Sequence, residues 1–446
     1  MSRKSRTSRR SFLAGLTAAG VASPFFVRNL ISAPPSGRLR HASFGAAGMA
    51  GGDMVTLSRH PNLDLVAVAE VDTARLDFLK KQIPDCKAKI YQDWRELLDK
   101  EGKNLNTANI GTPDHMHAPI AVSAMQLGLH VYVQKPMAHD LREARRMTEL
   151  AREKKLITQM GIQIHSSPYY RMGVEILQSG AIGKIREVHL WSDRKWGDAE
   201  PVPTRNDPIP ESLKWDVWLG VAAARPFLAG YYHPGVWRKR VDFGTGSLGD
   251  MGCHIFDPIF EGLALTSPIS VRSEGAGATP ANWALNEEIH YEFPATKYSE
   301  GNVKFTWYDG DARPPKDVLA LLGTVPFPGN GSIAVGTKGT MLLPHCGQRP
   351  VLLPTAQFAD YKLPHVKGQD HYMQFLNAVL GTDTCSAPFD YSGPLTETVL
   401  LGALATLFPK QTLEWDAAAL KIKNLPAADP YIRRTYREGW GVNGLV

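Results

Sequence analysis

A chain of 446 residues that is 43% hydrophobic and 21% charged has room for two ordinary domains with buried cores, which excludes a disordered or fibrous chain. Its formal net charge of +6 is not spread over the chain, because Arg3, Lys4, Arg6, Arg9, Arg10 and Arg28 all precede Ala33 with no acidic residue among them. Beyond Ala33 the charge is about zero, which excludes the basic footprint that a nucleic-acid partner requires.

The first element is a leader over residues 1–33. Ser8-Arg9-Arg10-Ser11-Phe12-Leu13 opens an apolar stretch from Phe12 to Val27, short for a membrane span and interrupted by Pro24. Paired arginines with Phe two residues on resemble the bacterial twin-arginine signal, which implies export in the folded state to the periplasm or beyond, with no stable span left behind.

From residue 38 short apolar runs alternate with helical patterns, the signature of a parallel sheet wrapped by helices. Strands are predicted at 40–44, 63–69, 89–91, 106–110, 130–133 and 156–161. Helices are predicted at 49–59, 73–82, 94–100, 115–127 and 141–154. Six strands with crossover helices predict a Rossmann dinucleotide-binding domain over 38–165.

The segment 166–446 reads as an α+β domain with a mostly antiparallel open sheet. A helix at 168–178 and a strand at 185–191 precede a Pro- and Trp-rich stretch, then alternating segments at 269–272, 287–293, 303–308, 332–335 and 340–343. Helices near 370–379 and 395–408 follow. Cys86, Cys253, Cys346 and Cys385 are scattered, so free thiols and no metal site are expected.

The loop Gly45-Ala46-Ala47-Gly48-Met49-Ala50-Gly51-Gly52 stands where the first strand gives way to the first helix, so small residues let the backbone approach a pyrophosphate. Read as G-x-G-x-x-G from Gly45, it has Ala47 second and Ala50 third. Glu70 ends the second strand, with Asp72 two residues on, where a carboxylate takes the ribose hydroxyls and repels a 2′-phosphate. NAD is therefore expected as cofactor over NADP.

The fourth strand runs into Gly111-Thr112-Pro113-Asp114-His115-Met116-His117 and the fifth into Gln134-Lys135-Pro136. A later motif, Gly249-Asp250-Met251-Gly252-Cys253-His254-Ile255-Phe256-Asp257, puts Asp250 and His254 at i and i+4 if helical from about Leu248. Together these resemble the glucose–fructose oxidoreductase/inositol dehydrogenase (Gfo/Idh/MocA) family, with Gln134 where the family has Glu. Resemblance implies hydride transfer from a hydroxyl-bearing carbon of a sugar, glycoside or cyclitol to the nicotinamide. His254 is then the base, Asp250 orients its ring, and Lys135 stabilises the substrate oxygen.

Thr112, Pro113, His117, Lys135 and Gln163 are expected to touch the cofactor. His165, Trp196, Tyr232, His233, Arg238 and Asp257 are expected toward the substrate. Expected partners are a small-molecule carbohydrate, the export machinery and further copies of the chain. Two other readings stay open: a relative that keeps NAD bound and cleaves a glycoside by transient oxidation and elimination, and a non-catalytic sugar-binding relative, against which Lys135, Asp250 and His254 speak.

Overall fold

The computed structural model describes residues 37–446, and the leader expected over 1–33 lies outside them. Strands β1 (Leu39–Phe44), β2 (Leu63–Ala69), β3 (Lys89–Tyr91), β4 (Thr107–Ile110), β5 (His130–Gln134) and β6 (Thr158–Gly161) form one sheet in the order β3-β2-β1-β4-β5-β6. Every pairing is parallel. The order reverses beside β1, so the carboxyl ends of β1 and β4 open a crevice, the usual dinucleotide position of a doubly wound sheet.

A second sheet has nine strands: β7 (Ile185–Ser192), β8 (Ser270–Ser273), β9 (Glu288–Phe293), β10 (Ser299–Asp309), β11 (Gly331–Gly336), β12 (Thr340–Pro344), β13 (Val351–Leu353), β14 (Thr412–Asp416) and β15 (Lys421–Ile422). They run in the order β13-β12-β11-β7-β10-β9-β8-β14-β15. Only β7 and β10 pair in parallel.

The helix Gly246–Gly262 joins this sheet to the first. Phe256 and Phe260 bury one face of it against Tyr291, Phe293, Phe305 and Trp307. The adjoining face carries Asp250, His254 and Asp257, so apolar burial of one stripe fixes where the polar residues stand. The aromatic stretch before it forms its own small core of Trp215, Trp218, Tyr231, Tyr232, Trp237 and Phe243.

Two expectations shift. The helix predicted from 395 starts at Phe389 and carries Pro394 in its second turn, where tertiary burial overrides the tendency of a proline to mark a helix boundary. Strands β13, β14 and β15, two to five residues long, add to the expected set: β13 and β15 lie at the sheet edges, and β14 pairs with β8 and β15. Among the described residues no helix is long and apolar enough to cross a membrane.

Candidate active site

The groove above β1 and β4 is built from the glycine-rich loop. Gly45 has φ +100°, and a Cβ there would sit 2.6 Å from the Cβ of Ala50; at Gly111 the same contact would be 2.7 Å. Ala50 thus wedges between two glycines and packs the turn; it does not line the groove, which corrects its expected cofactor contact. The helix Gly48–Leu57 starts at Ala47 with no side-chain cap and no acidic residue in its first turn. Its amides remain available to an anion.

Glu70 faces the same groove, half turned back on the loop. Its Oε2 accepts from the Ala46 amide at 2.9 Å and its Oε1 from the Asp72 amide at 3.1 Å. Burial raises its pKa, and these two hydrogen bonds partly offset the rise. Asp72 is a correction: its carboxylate accepts from the Ala74 amide at 3.2 Å and stands 2.9 Å from His233 Nε2, tying the first domain to the aromatic segment. His233 itself lines the groove.

The groove runs past the loop of Gly45, Ala47, Gly48 and Met49 and past Thr112, Pro113 and His117 to Lys135 and Arg238. The ring nitrogens of His117 stand 2.7 Å from the carbonyl oxygens of Pro136 and Thr112, fastening the β4 loop to the Lys135 turn. Burial pushes its pKa down to about 4. Arg75, Gln92, Trp94 and Trp237 also line the groove; no spacing in the sequence marks them.

Lys135 meets helix Gly246–Gly262 across the domain boundary. Its Nζ donates to the Asp250 carbonyl and to Asp250 Oδ1, both at 2.7 Å. Arg238 Nε donates to the same Oδ1 at 3.3 Å and Trp196 Nε1 to Oδ2 at 2.9 Å. Burial pushes the Asp250 carboxyl up, but Lys135 and Arg238 outweigh it and hold the group well below the usual carboxylate range. An ammonium has three donors, and the third has no partner among the described residues.

His254 stands one turn on, and here the expected pairing is corrected. Asp250 makes no hydrogen bond to it, and His254 Nδ1 is buried without a partner. The two cations and Trp196 claim the carboxylate instead. Burial, reinforced by the Lys135 charge, holds His254 well below its ordinary pKa. It is a neutral imidazole with a nitrogen to spare.

Four other expected positions turn inward. His165 Nδ1 stands 2.8 Å from Asp257 Oδ1, and Tyr391 Oη donates to the same oxygen at 2.6 Å. His165 and Asp257 are 3% and 1% exposed, so they brace the core instead of facing substrate. Gln163 Nε2 donates to the hydroxyls of Tyr132 and Tyr372, at 3.1 and 3.0 Å, away from the groove. Tyr232 is packed in the aromatic core, and Trp196 reaches the site through Asp250 and through Arg238, whose guanidinium stands 5.6 Å over its ring.

The departure at Gln134 has a physical cause. Its Nε2 donates to Asp53 Oδ2 at 2.8 Å, and Tyr372 Oη donates to Oδ1 at 2.8 Å. Asp53 is fully buried, and burial raises its pKa to about 7. A glutamate at 134 would set two carboxylates together; the amide supplies a donor instead.

Residues 39–162 match the model described as oxidoreductase family, NAD-binding Rossmann fold, and residues 189–297 the one described as oxidoreductase family, C-terminal alpha/beta domain. The chain is similar to a levoglucosan dehydrogenase of Pseudarthrobacter phenanthrenivorans, 26% identical over 37% of this chain and 34% of that one. An inositol 2-dehydrogenase of Rubrobacter xylanophilus is 29% identical over 37% and 46%. The matched segment thus spans about a third to a half of those curated relatives. A solved inositol dehydrogenase homologue from Azotobacter vinelandii, complexed with NADH and myo-inositol, shares the fold with a TM-score of 0.56 at 16% identity. That likeness covers 85% of this chain and 98% of that one.

Proposed function

The chain belongs to the Gfo/Idh/MocA family of oxidoreductases, its first domain an NAD-binding Rossmann domain, and from that membership we propose that it oxidises a hydroxyl of a sugar, glycoside or cyclitol. The observation that carries the proposal is the Lys135–Asp250 contact at the end of the groove, with His254 one turn away. Uncapped loop amides and the close approach that Gly45 permits fit a dinucleotide pyrophosphate.

Bound there, NAD supplies the acceptor for the hydride. Lys135 offers its third N–H to the substrate oxygen, which gains negative charge as its proton leaves. Asp250 fixes the ammonium in place by taking the other two donors. Neutral His254 takes the hydroxyl proton.

Glu70 on the groove wall favours ribose hydroxyls over a 2′-phosphate, which supports NAD over NADP. We assign export to Arg9 and Arg10; changing both to Lys should leave precursor in the cytoplasm, and undiminished export removes that assignment.

The function is tested by mass spectrometry of the purified protein incubated with NAD and a panel of glycosides and cyclitols. A keto product two mass units lighter, with matching NADH, supports it. Glycoside cleavage without net NADH assigns the hydride-returning reading, and neither reaction with any compound contradicts both.

A further inference from the structure

His345 belongs to none of the motifs, yet its ring packs on the imidazole of His254 with centroids 5.5 Å apart and planes tilted by 39°. It follows β12 in a tight turn where Cys346 and Gly347 have φ of 61° and 74°. Its amide donates to the Asn330 carbonyl at 3.0 Å. From helix Pro168–Ser179, Tyr170 Oη stands 2.6 Å from His345 Nδ1. The backbone and one ring nitrogen are therefore fixed.

The other nitrogen, Nε2, touches only Cys346 Sγ at 3.2 Å among the described residues. A thiol is a weak hydrogen-bond partner, so a sugar hydroxyl would displace it readily. Burial, with the nearby charges of Lys135 and Arg194, pushes His345 down to about 4. Like His254 it is neutral, with one donor and one acceptor.

Resting on the dehydrogenase reading of this site, we propose that His345 is a second substrate-contacting residue, which binds the hydroxyl adjacent to the one His254 deprotonates. Two imidazoles in ring contact reach the same small volume. Hydroxyls on neighbouring carbons lie within a hydrogen bond's length of each other and fit such a pair; hydroxyls across a six-membered ring do not. The substrate class is thus narrowed to a ring with a vicinal diol. Tyr170 is a positioning residue that holds the His345 ring.

A cycle combining protein and substrate changes tests this. Hydride transfer is measured with methyl α- and β-D-glucopyranoside, myo-inositol and their singly deoxygenated analogues, for wild type, His345→Ala, His345→Gln and Tyr170→Phe. Loss of the hydroxyl next to the reacting carbon should lower kcat/KM in wild type by roughly 10- to 100-fold, the effect of leaving a buried partner unmatched. In His345→Ala that penalty should shrink to about threefold or less, and Tyr170→Phe should lie between. If His345→Ala fails to fold, His345→Gln and Tyr170→Phe carry the comparison.

A deoxygenation penalty unchanged in the folded variants overturns the assignment of His345 while leaving the dehydrogenase reading intact. No hydride transfer from any of these compounds in wild type overturns both.

Discussion

Asp250 and Asp257 stand two turns apart on one helix, and their fates differ. Asp250 receives Lys135, Arg238 and Trp196 at the end of the cofactor groove. Asp257 receives His165 and Tyr391 and is sealed in the core. Helical spacing gives both carboxylates the same face; the element packed opposite decides their roles. At the N-terminal half that element is the Lys135 turn of the dinucleotide domain, and at the C-terminal half it is the end of β6 with helix Phe389–Ala405.

The sharpest way to break this contrast is at His254, on the reacting half. His254→Ala removes the proton acceptor and should lower turnover by roughly 10²–10⁴, measured as single-turnover hydride transfer, with NAD affinity within a few fold. On the other half, Asp257→Asn should leave that rate near wild type and destabilise the fold by about 1–3 kcal/mol. Burial lowers the His165 pKa, but Asp257 outweighs it and the net shift is upward. The pair therefore stabilises fully below the unfolded histidine value of about 6.5 and loses its contribution as pH rises through the raised folded value. Denaturant melts should show a larger penalty for Asp257→Asn at pH 6 than at pH 9. An equal penalty at both would mean that no charge pairing operates there.

The cofactor end sharpens the contrast further. Glu70→Ala should weaken NAD binding roughly tenfold, the worth of a charge-assisted hydrogen bond, and narrow the preference over NADP. Calorimetry with both nucleotides measures it; equal wild-type affinities would refute the preference. An effect on stability alone is expected at Asp53. Its folded pKa of about 7 lies above the unfolded carboxylate value, so the native state loses stability as pH rises from about 4 through 7. Asp53→Asn lacks that loss, and its melting temperature relative to wild type should climb over the same window.

The Rossmann half was legible because its strands are short apolar runs separated by helical patterns, and because Gly45 and Glu70 sit at strand ends where the fold itself places a ligand. The Lys135–Asp250 contact was legible only through family resemblance: 115 residues separate the two, and no local period reports such a pairing. Spacing alone pointed to the wrong partner for Asp250, His254 being one turn away but Lys135 carrying the charge. Asp257 misled for a related reason, since polar residues on the site-facing stripe of a helix read as functional until the opposing surface is known; His165 misled because it follows the sixth strand, where the fold can face its cofactor. Tyr170 and His345 lie on separate elements with no motif around either, so their meeting beside His254 exists only in the folded chain.

The central claim is that the Lys135 end of the groove is where the chemistry occurs, and Lys135→Met tests it most directly. Methionine keeps most of the apolar stem and removes the charge that meets the developing oxyanion. Single-turnover hydride transfer, measured with the substrate that the glycoside panel identifies, should fall by roughly 10²–10³, with NAD affinity within a few fold of wild type. A near-wild-type rate would contradict the account and place the reacting groups elsewhere.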